Sequence, residues 1–170
     1  DDHRDALIEL SHRIHANPET VWEEERSSRW VAEALEPGGF TVEMGVCDLP
    51  TAFVATAGSG PLTIGICAEY DALPGIGHGC GHNVIAAAAV GAGLALAPLA
   101  DELGITVKVF GTPAEEGGGG KILMLDRGAF DGVHAAMMVH PSPTEMDHMP
   151  CLAVAHVDVH YHGKEAHASA

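Results

Sequence analysis

The residues able to do chemistry cluster in three short segments. In Gly77-His78-Gly79-Cys80-Gly81-His82-Asn83, a thiol and an imidazole lie two residues apart. The intervening glycine allows the tight backbone that turns both toward one cation. The helix expected to follow offers its N-terminus, which favours a thiolate. The plainer reading of the same residues is a Gly-rich turn with incidental side chains. In Gly111-Thr112-Pro113-Ala114-Glu115-Glu116, two adjacent carboxylates precede four glycines and Lys121. One can ligate a metal while its neighbour takes a proton from the water that the metal activates. A solvated acidic turn is the alternative. In Met137-Met138-Val139-His140-Pro141, a histidine closes an apolar run; it is either a ligand or a boundary residue. Jointly, Cys80, His82, Glu116 and His140 form a donor set that suits zinc, or manganese, cobalt or nickel. Glu115 is left as the base, and Asp71 is placed to orient a ligand histidine. Phosphate loops fail on spacing: Cys80 and His82 stand where a third glycine is needed, and Lys121 precedes Ile122 rather than Ser or Thr.

These segments need a scaffold of strands and helices. Asp5 to Ala16 has apolar residues at Leu7, Ile8, Leu10 and Ile14, which predicts an amphipathic helix ended by Asn17-Pro18. A second helix is expected over Glu23 to Leu35, with Trp30, Val31, Ala34 and Leu35 on its buried side. Strands are expected over Phe40–Val46, Thr51–Ala57, Leu62–Ala68, Ile105–Phe110 and Ala135–Val139. Helices are expected over Asn83–Leu99 and Lys121–Arg127. The prolines from Pro141 to Pro150 mark a connector, and Leu152 to Tyr161 alternates like a strand on which His156, His160 and His162 share a face. Buried strands alternating with helices imply an α/β fold with parallel strands and helices on both sheet faces. The three segments fall after Ala68, Phe110 and Val139, where loops leave the carboxyl ends of strands and sites gather.

Composition narrows the function. The 170 residues hold 8 Lys plus Arg against 24 Asp plus Glu, a formal charge of −16. Such a chain is a poor partner for nucleic acid or an anionic membrane surface. An apolar content of 46% excludes a disordered acidic tail. The apolar stretch Val84 to Ala100 is short for a bilayer span and reads as a buried helix. Four cysteines without a Cys-x-x-Cys pair fit a reducing, cytoplasmic setting, with Cys47, Cys67 and Cys151 as small buried residues. The start, Asp1-Asp2-His3-Arg4, carries no apolar segment of signal-peptide type. The end at Ala170 is abrupt, so the chain is expected to be the front portion of a longer protein.

The motifs resemble the zinc amidohydrolase and peptidase family of M20 type, which includes aminoacylases, aminobenzoyl-glutamate hydrolases and auxin-conjugate hydrolases. The blocks are His12-Arg13-x-x-His-Ala-Asn-Pro-Glu, Tyr70-Asp71-Ala-Leu-Pro, His78-x-Cys-Gly-His-Asn, Gly111-Thr-Pro-Ala-Glu-Glu-Gly-Gly-Gly-Gly-Lys, Val139-His140-Pro and His162-Gly-Lys-Glu-Ala-His167-Ala. Glu69-Tyr70-Asp71 and Gly81-His82-Asn83 look most like the β-alanyl-lysine dipeptidase subgroup and depart from auxin-type relatives at Glu69 and Asn83. The resemblance implies a mixed, largely parallel sheet of zinc-peptidase type, interrupted by a smaller α+β lid that dimerises. Residues 1–155 would be the front of the catalytic domain and residues 156–170 the start of the lid. It also implies two divalent ions, ligands at Cys80, His82, Glu116 and His140, a base at Glu115, an orienting acid at Asp71 and a substrate-binding histidine at His167. A further ligand would come from beyond this chain.

The expected activity is metal-dependent hydrolysis of an amide bond in a dipeptide or N-acyl amino acid, with the 170 residues alone incomplete. Two alternatives use the same residues: a non-catalytic metal-binding protein, and a redox thiol protein centred on Cys80, for which no nearby resolving cysteine exists.

Overall fold

A computed structural model of the chain describes residues 3–148, 153, 155, 157–167 and 169. Strands form at Thr41–Met44 (β1), Phe53–Gly58 (β2), Leu62–Glu69 (β3), Ile105–Thr112 (β4) and Ala135–Met137 (β5). Helices form at Arg4–His15 (α1), Glu25–Leu35 (α2), His82–Leu96 (α3), Ala100–Leu103 (α4) and Gly120–Asp126 (α5). The strands make one sheet in the order β1-β2-β4-β3-β5. β1 and β2 pair antiparallel, as do β2 and β4, whereas β3 runs parallel to both β4 and β5.

The period-2 alternation of the strands divides the core. Ile66 and Ala68 of β3, and Val107 and Val109 of β4, are buried with Leu10, Ile14, Val31, Leu35 and Val90 of α1, α2 and α3. Phe110 of β4 faces the other way and is buried with Leu49, Ala52 and Met124 of α5. Helices thus cover both faces, as the sequence predicts. From β3 the chain passes through α3 to β4 on one side, then through α5 to β5 on the other side of β3. The loops after these three parallel strands meet above the end of β3, at the point where the strand order reverses.

Several elements differ from expectation. The buried side of α2 carries Ser27, Ser28, Val31, Ala32 and Leu35. Trp30 and Ala34 are only half-buried. Ser27 turns inward because its amide and hydroxyl both bind Glu19 Oε2, at 2.7 and 2.8 Å. Trp30 stays at the rim, where the Arg13 guanidinium lies 4.1 Å from its ring centroid. β5 stops at Met137 and so leaves His140 in a loop. Among the described residues it pairs with β3 alone, over three residues. The alternating stretch toward Tyr161 forms no strand among its described residues, which are exposed. None of them pairs with another strand to satisfy its backbone N–H and C=O groups. Cys151, Leu152, Val154 and His156, where the lid is expected to begin, lie outside the described residues.

Candidate metal centre

Two loops beyond β3 and β4 meet around one imidazole. His82 is the first residue of α3 and is 3% exposed. Its Nδ1 lies 2.8 Å from Asp71 Oδ1. Asp71 Oδ2 in turn accepts the backbone amide of Glu116 at 2.8 Å. One buried carboxylate therefore ties the loop after β3 to the loop after β4. With its proton on Nδ1, His82 directs Nε2 outward, toward Glu69 Oε2 at 3.1 Å and Glu116 Oε1 at 3.5 Å. Burial works against the imidazolium. The Asp71 hydrogen bond and the charges of Glu69, Asp71 and Glu116 outweigh it and raise the His82 pKa. Burial likewise opposes the Asp71 anion, yet the bonds from His82 and the Glu116 amide hold its carboxyl below the usual range.

His140 has the same arrangement by a different route. Its Nδ1–H donates to the Pro141 carbonyl at 2.8 Å, and its Nε2 faces Cys80 Sγ at 3.8 Å. Pro141 seats this loop against Gly81, whose φ of +84° suits glycine and whose missing Cβ would stand 2.8 Å from the proline ring. One donor atom from each of Cys80, His82 and His140 lies within 4.8 Å of the others. Glu116 Oε1, buried beside them, has no hydrogen-bond partner. An oxygen left bare in this position, next to a sulfur and two imidazole nitrogens, fits a divalent cation. The thiolate expected from the helix N-terminus is not favoured here. Burial, then the charges of Glu116, Glu69 and Asp71, push the Cys80 thiol up to about 11. That acidic setting also argues against a redox thiol acting without a cation.

Glu115 sits on the other side of the cluster. Its Oε1 accepts the Lys121 amide at 2.7 Å, and its Oε2 meets the Lys121 ammonium at 3.1 Å. Burial lifts the Glu115 carboxyl above its ordinary value against the opposing pull of Lys121. The residue before it, Ala114, has φ +58°, an uncommon conformation for a side chain with a Cβ. Neighbours hold it there: Glu24 Oε1 accepts the Ala114 amide at 2.8 Å, and the Ala114 carbonyl accepts Gly118 and Gly119. Glu24 is fully buried and also accepts the Trp22 amide and the Thr51 hydroxyl. Nearby, the Glu19 carbonyl accepts the Ala72 amide at 2.8 Å, beside Asp71.

The structure thus brings together Cys80, His82, Glu116, His140, Asp71 and Glu115. It does not bring His167 to them: that residue is exposed, and its Nδ1 contacts Ser169. His78 is buried with both ring nitrogens unpartnered, and its ring lies 6.2 Å from that of His15. Cys67 is buried and Cys47 half-buried. Sequence reasoning missed three participants: Glu24, Glu69 and Lys121. The available signals were a carboxylate closing the apolar run of β3 and a lysine closing the glycine run.

Residues 65–169 match the sequence model of peptidase family M20/M25/M40. The chain is 39% identical, over its whole length, to the Xaa-Arg dipeptidase of Mus musculus, covering 43% of that protein. It is 37% identical over 98% of its length to a p-aminobenzoyl-glutamate hydrolase chain of Escherichia coli (strain K12), covering 39% of it. It superposes on the Bacillus subtilis YXEP protein, described as a dinuclear metal binding peptidase, with a TM-score of 0.74 and 27% identity, covering 82% of this chain and 43% of that one. The chain therefore spans about two fifths of the length of these relatives.

Proposed function

The chain belongs to peptidase family M20/M25/M40, and from that premise we propose that it carries most of the metal-binding half of a hydrolase cleaving an amide bond in a dipeptide or N-acyl amino acid. The observation that carries this reading is the convergence of Cys80, His82 and His140 within 4.8 Å beside the unpartnered Glu116 oxygen. Cys80, His82, Glu116 and His140 would hold divalent ions. Two ions are proposed, zinc first, with manganese, cobalt or nickel as alternatives. When bound they supply Lewis acidity, polarising the carbonyl and lowering the pKa of a water.

The chain's own residues supply the rest. Asp71 holds the His82 proton on Nδ1 and keeps Nε2 free for an ion. Glu115, half-buried and held by Lys121, accepts a proton from the attacking water and passes it to the leaving amine. Glu69, Asp71 and His82, on the ligand side of the cluster, are buried. His167 is assigned to substrate binding from a lid that begins near residue 156 and joins two copies, and the protein is placed in the cytoplasm. Substrates are small amides or dipeptides rather than nucleic acids or membranes.

The test is Glu115→Gln in the longest form of the protein that carries this chain. It should keep its bound metal, measured by elemental analysis, and lose about 100-fold or more in kcat. Turnover at the wild-type rate would remove Glu115 from the mechanism.

A further inference from the structure

Lys121 carries a positive charge into a group of four carboxylates, Glu69, Asp71, Glu115 and Glu116. Its ammonium lies 2.6 Å from Glu69 Oε1 and 3.1 Å from Glu115 Oε2, and its backbone amide donates to Glu115 Oε1 at 2.7 Å. Both oxygens of the proposed base are thus held by one residue. The anchor of that residue, Glu69, touches the ligand side of His82 with its other oxygen, at 3.1 Å. The strand alternation explains the pairing. Glu69 follows Cys67 on the α5 face of β3, and Lys121 lies on the first turn of α5. The two backbones approach closely here, since a Cβ at Gly120 would stand 1.9 Å from the Pro113 carbonyl oxygen. The turn bearing Glu115 and the start of α5 are therefore pressed together.

We propose that Lys121 is a positioning residue that fixes the plane of the Glu115 carboxylate, with Glu69 as the anchor of its ammonium. This rests on the assignment of Glu115 as the proton acceptor. The terminal torsion of a glutamate is broad and roughly two-fold, so its own rotamer does not set where its lone pairs point. A base must meet its proton at hydrogen-bond distance, and a misplacement of about 1 Å costs on the order of 100-fold in rate. Removing the ammonium leaves the backbone bond to Oε1 and frees Oε2.

The experiment compares wild type, Lys121→Met, Lys121→Arg, Glu69→Gln and the double variant Glu69→Gln/Lys121→Met in the full metal-loaded protein. Metal content, kcat, KM and crystal structures are measured. Lys121→Met should keep its metal and its KM, lose about 100-fold in kcat, and show the Glu115 carboxylate in more than one orientation. Lys121→Arg, which can still bridge both carboxylates, should recover most of the rate. Metal content in Glu69→Gln reads the separate contact of Glu69 with His82, and the double variant should show the same Glu115 orientations as Lys121→Met. An unmoved Glu115 in Lys121→Met, or a wild-type kcat in that variant, would each overturn the proposal. If Lys121→Met does not fold because two carboxylates are left without a cation, the double variant, with one fewer charge, decides by the orientation of Glu115. A wild-type protein without hydrolase activity would sink the functional reading, and the orientation of Glu115 would still decide the role of Lys121.

Discussion

The face of the sheet under α1, α2 and α3 and the face under α5 differ in how completely they exclude water. On the first, Ile14, Val31, Leu35, Val90, Val107 and Val109 are fully buried. On the second, Phe110 and Met124 are fully buried, while Ile122 and Leu125 of α5 and Met137 of β5 are 65%, 61% and 56% exposed. The site straddles this difference. His82 stands on the tightly packed helix α3, whereas Glu115 and Lys121 belong to the thinly covered side. The His82 imidazole is carried by a densely packed helix, and the Glu115 carboxylate is held by hydrogen bonds and an ion pair.

Perturbations of the two faces should therefore diverge. Leu35→Ala on the dense face should cost about 3–4 kcal/mol in urea unfolding, from lost burial plus a cavity. A cost below about 1 kcal/mol would show that this face is looser than its packing indicates. Next is Glu24→Ala, which strips acceptors from the Trp22 and Ala114 amides and should cost about 3 kcal/mol. Glu24→Gln keeps an acceptor and should be milder, with a distinct pH signature. Burial raises the Glu24 carboxyl above its ordinary value of 4.5. The folded state then binds more protons than the unfolded state between those two values, so wild-type stability falls as pH rises through that window. The Gln variant should lack this component. A wild-type-minus-variant difference that is flat with pH would contradict it.

A smaller effect is expected from the cation. Zinc at 100 times its Kd should add about 2.7 kcal/mol to stability, reversed by a chelator and absent in His82→Ala. The same gain in His82→Ala would place the ion elsewhere. Smallest of all, Leu125→Ala on the thin face should change stability by less than about 0.5 kcal/mol. A loss near that of Leu35→Ala would erase the distinction between the faces.

What could be read from the sequence followed the range of each interaction. β3, β4 and α3 were legible because their apolar runs are long and continuous. Cys80 with His82, and Glu115 with Glu116, were legible because their spacing is local. His140 was legible by type, but its setting was not. The apolar run into Val139 reads as strand, and the place where β3 stops pairing with it is a tertiary fact. Glu69 and Lys121 lie 52 residues apart and meet only through the strand–helix–strand crossover. Glu24 lies 90 residues from Ala114 and reads alone as one acidic residue among several at the start of a helix. No local pattern encodes such meetings.

The bonds from Glu19 to Ala72 and from Glu24 to Ala114 have a consequence for how the chain can be divided. Both chemistry-bearing loops are fastened to one short stretch near the start of the chain, well ahead of the residues that match the family. A polypeptide running from residue 65 to the end of this chain would contain Cys80, His82, Glu116 and His140 and the proposed base. It would leave the Ala72 and Ala114 amides with nothing to bind, and the left-handed turn before Glu115 without its clasp. The inventory of reactive groups and the smallest unit that can hold them in place are different lengths of this chain.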